Sequence, residues 1–399
     1  MTAPPPLPRF ASEVPPHVDC VIVGGGIIGA ATAFHAARAG LSALVVERRP
    51  ALASLTTAAS AGGFRAQFED PDEIALMRES LDVFASFGAH TGVAGADIGL
   101  VRGGYLWVTT RADGAERHRR LVEHQRAHGL DDVEHLSGSE ARRRFPFLAP
   151  EVTSARLRLG DGWLDPRKLA LGFAAASRAT FCVSTEVVGL RVEGGRVTAV
   201  RTSRGEVSCG AVVLAAGPFT ARLAAAACVP LPIELMTRHK VVLAEEPAVP
   251  RDAPMTIDED SGAHWRPHGD GALVLCPHAD TPDAAPLEDV PSPSAFAFTL
   301  LAPDGPLAVA RTSPFWRAVW ARGGSSFVMQ SGQYALTPDR KPLIGPTSIG
   351  GLHVNGGYSG HGIMASAAGA RLLVQGIVGR AEHPFRLDRS FAAAAHGPL

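Results

Sequence analysis

Asp19-Cys20-Val21-Ile22-Val23-Gly24-Gly25-Gly26-Ile27-Ile28-Gly29-Ala30-Ala31-Thr32-Ala33, continuing to Leu44-Val45-Val46-Glu47-Arg48-Arg49, decides how this chain is read. A short apolar run meets three glycines, a small-residue stretch follows, and a second apolar run ends on an acid. That order predicts a buried strand, a glycine-rich turn, a helix and a second strand. Gly24, Gly26 and Gly29 fit G-x-G-x-x-G. In such a turn the first glycine allows the bend, the second lets a pyrophosphate approach the backbone, and the third lets helix and strand pack closely. The helix start offers phosphate unpaired N–H groups and a positive dipole end. Glu47, about 20 residues further on, stands where a carboxylate accepts ribose hydroxyls. The stretch predicts a dinucleotide site and does not choose between NAD and FAD.

The remaining bulk properties narrow the class. A chain of 399 residues, 46% apolar, has room for two domains with full cores. A formal net charge of −1 gives no global field toward nucleic acid or an anionic membrane. No apolar run approaches the ~20 residues of a spanning helix. Residues 1–17 carry Pro4, Pro5, Pro6, Pro8, Pro15 and Pro16 without a basic start or apolar centre, so a disordered lead is expected rather than a signal peptide. Cys20, Cys182, Cys209, Cys228 and Cys276 are scattered and odd in number, which suits buried thiols in a reducing cytoplasm and no metal site. The abundance of alanine, glycine and arginine suggests a bacterial source with GC-rich DNA.

Further along, Ser54 to Arg65 is small, hydroxylated and glycine-containing, suited to close approach by a flat ligand or to an ordinary polar loop. Its terminal Arg65 reads either as a site cation or as the partner of Glu69 or Asp70. Pro71–Phe87 is a predicted helix with Ile74, Met77, Leu81 and Phe84 on one face. In the charged helix expected over Ala112–His128, the arginines and histidines read as a solvated face. Gly160–Pro166 is a turn before a helix, and three strands over 185–209 include a hairpin at Gly194-Gly195. A buried strand, Ala211 to Ala215, ends in a turn at Gly217-Pro218. Antiparallel strands are expected around His239, Arg266 and Leu275, then a Pro-rich loop over 277–306 and a helix over 313–322. Gly357-Tyr358-Ser359-Gly360-His361-Gly362-Ile363 is a second glycine-rich strand-to-helix turn. It reads either as a flexible helix start or as a second anchor, and two such turns would suit the two ends of FAD.

These pieces together resemble the FAD-dependent D-amino-acid oxidase superfamily, in its glycine oxidase and sarcosine oxidase branch. The resemblance runs from about Val18 to Gly379 and rests on Gly24–Glu47, Thr56–Arg65, Gly160–Pro166, Val212–Pro218, Tyr334–Gly345 and Gly356–Gly362. It implies an α/β fold: a discontinuous Rossmann-like FAD-binding domain (18–70, 150–228 and 325–385) interleaved with an antiparallel-sheet substrate domain (71–149 and 229–324). It implies cofactor contacts at Gly24, Gly26, Ile27, Ile28, Gly29, Glu47, Arg48, Thr56, Thr57, Gly62, Gly63, Val187, Gly217, Gly360, His361, Gly362, Ile363 and Met364. Arg65, Tyr334 and His361 are the candidate catalytic residues, and Arg65, His239, Arg266, Tyr334 and Met364 the candidate substrate contacts.

Three departures are visible. Gly332 stands where some sarcosine-oxidase-like members carry the flavin-linking cysteine, so FAD is expected to be non-covalent. Met364 replaces a substrate-holding lysine of sarcosine oxidases, and Tyr334 stands near a position that is arginine in glycine oxidase. The implied activity is oxidation of a C–N bond in an amine or an N-alkyl or imino amino acid. It proceeds by hydride transfer to flavin N5 and imine hydrolysis, with O2 or another acceptor taking the electrons. Oxidation of a 2-hydroxy acid, and a role as the flavin subunit of a heteromeric dehydrogenase, are the alternatives.

Overall fold

The computed structural model describes residues 7–276, 282–322, 326–379 and 382–391. Strand His17–Val23 lies between Ala43–Val46 and Gly205–Leu214, parallel to both. Successive side chains of a strand point to opposite faces. Cys20 and Ile22 therefore enter one core with Phe34, Met77 and Phe173, while Val21 and Val23 enter another with Leu44 and Val212. Burial on both faces is why this strand reads as an unbroken apolar run. Helix Ile27–Arg38 follows the glycine turn. A Cβ on Gly29 would stand 1.9 Å from the Gly24 carbonyl oxygen, so the helix and strand can meet only at glycine.

The first sheet has nine strands. Beyond the central parallel set, Val187–Glu193, Arg196–Thr202 and the start of Gly205–Leu214 form the expected meander. The end of Gly205–Leu214 pairs with Leu352–Gly356, so the predicted third meander strand and the buried strand after it are one element. Helix Gly362–Ile377 grows from the second glycine turn, and its Ala368 N–H donates to Ser80 Oγ of helix Pro71–Ala85 at 3.1 Å.

An eight-stranded sheet forms the second layer, in the order Phe327–Leu336, Glu234–Leu243, Gly271–Cys276, His264–His268, Met255–Asp258, Tyr105–Thr109, Ser154–Arg158, Val133–Ser137. All its pairs are antiparallel except Met255–Asp258 with Tyr105–Thr109, where the chain leaves the sheet and returns to it much later. One face carries Val241, Leu243, Trp265 and Val274 against helices Ala295–Leu301 and Trp316–Ala321. The other face, with Tyr105, Trp107, Met255 and Ile257, turns toward the first layer.

Several expectations are corrected. Within the lead expected to be disordered, Arg9–Phe10 pairs with Thr180-Phe181, Ala11 N–H donates to the Phe181 carbonyl, and His17 begins a strand. Prolines tolerate a sheet-edge position, so they did not prevent pairing. Residues 1–6 lie outside the described residues. Strands Ser154–Arg158 and Phe327–Leu336, assigned by sequence position to the FAD-binding domain, belong to the second sheet. Helix Pro71–Ala85, assigned to the substrate domain, buries Ile74, Met77 and Phe84 in the first layer's core. The Pro-rich 277–306 segment contains a helix, Ala295–Leu301, and its residues 277–281 lie outside the described residues.

Candidate functional site

A cleft enclosing about 1640 Å³, open solvent at its mouth included, runs between the two layers. Its two ends are the two glycine turns. At the first, Glu47 accepts the Gly25 N–H at 2.7 Å through Oε2 and the Arg49 N–H at 2.8 Å through Oε1. Both oxygens keep a further lone pair for an incoming hydroxyl. Gly24, Gly26, Ile27, Ile28, Glu47, Arg48, Val187 and Gly217 line this end. The Arg48 guanidinium lies 4.4 Å from the centre of the Phe219 ring. Arg48 and Arg49 both pair with Glu288, which comes from the Pro-rich segment.

Next to the turn, Thr57 Oγ1 accepts the Ile27 N–H at 3.1 Å, securing the first helical turn. Thr56 Oγ1 donates to the Gln333 carbonyl at 3.4 Å and so ties this loop to the second sheet. Both threonines line the cleft.

At the far end, Gly357–Ile363 lies against strand Phe327–Leu336. Gly360 has φ +92°, and a Cβ there would stand 2.4 Å from the Tyr334 ring. Only glycine lets Tyr334 sit on this turn, and both residues line the cleft. The Ser359 N–H donates to the Ala335 carbonyl at 2.9 Å. Tyr358 donates to Asn355 Oδ1 at 2.5 Å, and Asn355 Nδ2 donates to Thr32 Oγ1 at 3.1 Å, joining the two helix starts. Gly362 and Ile363 occupy the first helical turn, whose N–H groups have no intrahelical acceptor.

Seven expected site residues do not line the cleft among the described residues: Gly29, Gly62, Gly63, Arg65, Arg266, His361 and Met364. Gly29 acts in helix packing, as above. Gly62 and Gly63 press on the Leu164 carbonyl and the Tyr105 hydroxyl. Met364 is buried in the first core. The His361 N–H, expected to face the ligand, donates to the Tyr358 carbonyl at 2.8 Å. Its ring turns inward, 4.9 Å edge-to-face from Phe68, with Nδ1 3.8 Å from Glu73 Oε1. Burial, helped by Arg65, lowers its pKa to about 3, so the imidazole is neutral. The same burial raises Glu73 to about 7. Arg65 makes no ion pair with Glu69 or Asp70. It donates to the Gln67 carbonyl at 2.6 Å, with its guanidinium 4.0 Å from Phe68 and 5.1 Å from Trp107. Arg266 is spent on the Ala61 and Pro267 carbonyls and on the Trp163 face.

His239 is at the cleft but its ring is on the opposite side of the sheet, bonded to Ser331 Oγ at 2.7 Å and 4.8 Å from Phe296. Its neighbours Arg238 and Lys240, unnamed by the sequence reading, have the other parity and line the cleft. Lys240 Nζ donates to the Ser60 carbonyl at 2.9 Å, and burial lowers its pKa to about 8. The signal that would have found them is strand alternation across Arg238-His239-Lys240, with Val241 fixing the core face.

Residues 19–375 match the family described as FAD dependent oxidoreductase, or DAO. The chain belongs to that family. It is 26% identical over 400 residues to the mitochondrial sarcosine dehydrogenase of Mus musculus, covering 94% of this chain and 41% of that protein. It therefore spans less than half the length of that relative. It is 27% identical over 400 residues to the sarcosine oxidase subunit beta of Rhizobium meliloti (strain 1021), covering 94% and 88% of the two chains. The solved glycine oxidase of Geobacillus kaustophilus superposes with a TM-score of 0.80 at 25% identity, covering 95% of this chain and all of that one.

FAD is the cofactor of this DAO-family chain, and the cleft fits it: a glycine cradle with a carboxylate at one end, a second helix start at the other. Gly332 faces Ala59, which a Cβ there would approach to 2.9 Å. No helix among the described residues is long and apolar enough to cross a membrane.

Proposed function

We propose that this protein oxidises the C–N bond of an amine or an N-alkyl or imino amino acid, with FAD held non-covalently. The observation that carries the reading is the cleft itself, where the second glycine turn meets Tyr334 on the second sheet, next to Arg238. Bound FAD supplies the acceptor for a hydride from the carbon beside the amine nitrogen, and the resulting imine hydrolyses. The chain's own residues bind, orient and exclude water. Glu47 and the first turn hold the adenosine and pyrophosphate half. The first-turn N–H groups of Gly362 and Ile363 point a positive dipole end at the other half. Tyr334, packed on Gly360, forms the wall on which the substrate aligns. Buried His361, neutral and turned inward, takes no proton in this reading. Alignment in a dry pocket supplies the rate enhancement without a strong base.

The experiment is the visible spectrum of the purified protein before and after acid precipitation, followed by anaerobic bleaching with sarcosine, 4-methylaminobutanoate, L-proline and a set of 2-hydroxy acids. Flavin bands that leave with the supernatant, and bleaching by a secondary amine with peroxide formed on readmitting O2, are expected. A protein that neither carries nor takes up FAD sinks the proposal, and bleaching by 2-hydroxy acids alone replaces its substrate class. The likeness to a sarcosine oxidase beta subunit over most of that chain favours a second reading, in which this chain works within a heteromer. Co-purification of a second polypeptide, with activity lost on its removal, would decide for it. We propose a cytoplasmic location, which the burial of Cys20, Cys182, Cys209 and Cys276 suits.

A further inference from the structure

We propose that Arg238 is the substrate-specificity residue of this cleft, anchoring a carboxylate of the amine that is oxidised. The inference rests on reading the cleft as the FAD and amine site. Its basis is where the sheet puts this side chain and what the side chain lacks.

Arg238 pairs across the ladder with Gly332, and Met236 pairs with Tyr334. The strand opposite therefore offers no side chain at the Arg238 position, and the guanidinium leans over the diagonal neighbour, 5.5 Å from the Tyr334 ring centre. Diagonal contacts of this kind lie within reach of a long side chain. Tyr334 in turn rests on Gly360. The cation thus stands one aromatic ring away from the turn that starts helix Gly362–Ile377, at the end of the cleft opposite Glu47.

Within that setting Arg238 is poorly satisfied. Nη1 donates to the neighbouring Thr237 carbonyl at 3.2 Å, and Nε is buried without a partner. No carboxylate lies within 4.0 Å of its nitrogens among the described residues, whereas most arginines of this chain that approach a carboxylate do so at the surface. Asp283, whose charge reaches Arg238, is already occupied: it accepts from Thr237 Oγ1 at 2.9 Å and from Gln333 Nε2 at 3.0 Å. A half-buried, unneutralised guanidinium with a buried, unpartnered Nε favours an incoming anion, and its fork matches a carboxylate in two parallel hydrogen bonds. Arg65, the expected anchor, is the weaker candidate because it is enclosed by Phe68 and Trp107 and does not line the cleft. Lys240, two residues along on the same face, adds a second positive charge and is held at Ser60. An amine that brings a carboxylate fits this wall. A bare alkylamine, cationic in water, does not.

The test titrates FAD-loaded protein with glycolate and with glycolamide, its neutral counterpart, following the perturbation of the flavin absorbance. Parent protein, Arg238→Gln and Arg238→Lys are compared, with Arg65→Gln beside them. The expected result is saturable glycolate binding by the parent, weakened at least tenfold in Arg238→Gln and partly restored in Arg238→Lys, with glycolamide unaffected. A merely structural role would weaken both ligands together. Absence of a glycolate effect in the parent, equal losses for both ligands, or loss of glycolate selectivity in Arg65→Gln alone each overturns the assignment. Failure of the protein to hold FAD is seen before any titration and counts against the broader reading instead.

Discussion

Glu259 is the residue whose removal has the best-defined consequence. It is 5% exposed and accepts from His118 Nε2 at 2.7 Å, with Arg156 Nη2 at 3.3 Å and Arg117 Nη2 at 3.4 Å. Burial alone would raise its pKa, but the His118 hydrogen bond and the two arginines win and hold it at about 2, from an ordinary 4.5. Burial keeps His118 below its usual value, so a neutral ring donates from Nε2 and accepts from Ser154 Oγ at Nδ1. A carboxyl depressed in the folded state adds stability above its unfolded pKa. That stability is lost as pH falls from about 4.5 through about 2. The difference corresponds to about 3 kcal/mol at pH 7. It falls to about 1.4 kcal/mol at pH 3, by which point the unfolded carboxyl is protonated. Glu259→Gln keeps the shape, removes the charge and leaves Arg156 buried beside an amide. Melting of FAD-loaded protein at pH 7 should fall by about 3–4 °C for a chain of this length. The gap to the parent should shrink by half or more at pH 3. A gap that is the same at both pH values, or none at pH 7, refutes the account of how this network is held.

Gly29→Ala drives a Cβ into a backbone oxygen that no rotamer change can move, 1.9 Å away. A cost of about 1–3 kcal/mol and reduced flavin content per protein are expected, and unchanged content on purification would count against it. Glu288→Gln breaks the ion pairs to Arg48 and Arg49 over the adenosine end. Because Glu288 is 42% exposed, release of FAD on dilution, followed by the rise in flavin fluorescence, should accelerate only severalfold, with high salt doing the same to the parent. Glu73 has the opposite sign to Glu259: burial raises it to about 7, so its folding penalty is absent below about pH 4.5 and grows until about pH 7. Glu73→Gln should melt higher than the parent at pH 8 and equally at pH 4. A lower melting temperature at pH 8 would show that the charged form is satisfied.

What the sequence disclosed follows from locality. The turn at Gly24–Gly29, the helix after it and Glu47 are encoded by neighbours and period, and they stand where the pattern puts them. The Gly194-Gly195 hairpin was legible for the same reason. The helix over 112–128 shows the limit. His118 was read as part of a solvated face, yet it is fully buried, because its partners Ser154 and Glu259 lie far along the chain. His239 was selected as a cleft contact by residue type, although alternation with Val241 turns its ring to the core side. His361 shows a third kind of error. Its place in the glycine turn was correct, but the turn's own hydrogen bond consumes its N–H and sends its ring to Phe68. Strand Phe327–Leu336 was assigned to the wrong sheet because sequence position cannot show which ladder it joins.

The near-zero net charge also concealed the field inside the cleft. Charges of both signs are paired over the surface, so the total says nothing about where unpaired ones stand. Arg238 and Lys240 lie on the cleft wall with backbone carbonyls as partners, and both helix starts point their positive ends there. Low-dielectric walls concentrate such a field. Such a field favours two anions in one cleft: the pyrophosphate of the cofactor at the Gly24 turn and, as proposed above, a carboxylate beside Tyr334. It repels an ammonium group approaching alone. In the proposed amine oxidation the substrate would enter either neutral or carrying its own carboxylate, and would lose hydride with its nitrogen lone pair free. The two cations proposed to hold an acidic substrate would also lower the pKa of its bound amine. Substrate selection and amine deprotonation would then have one electrostatic origin.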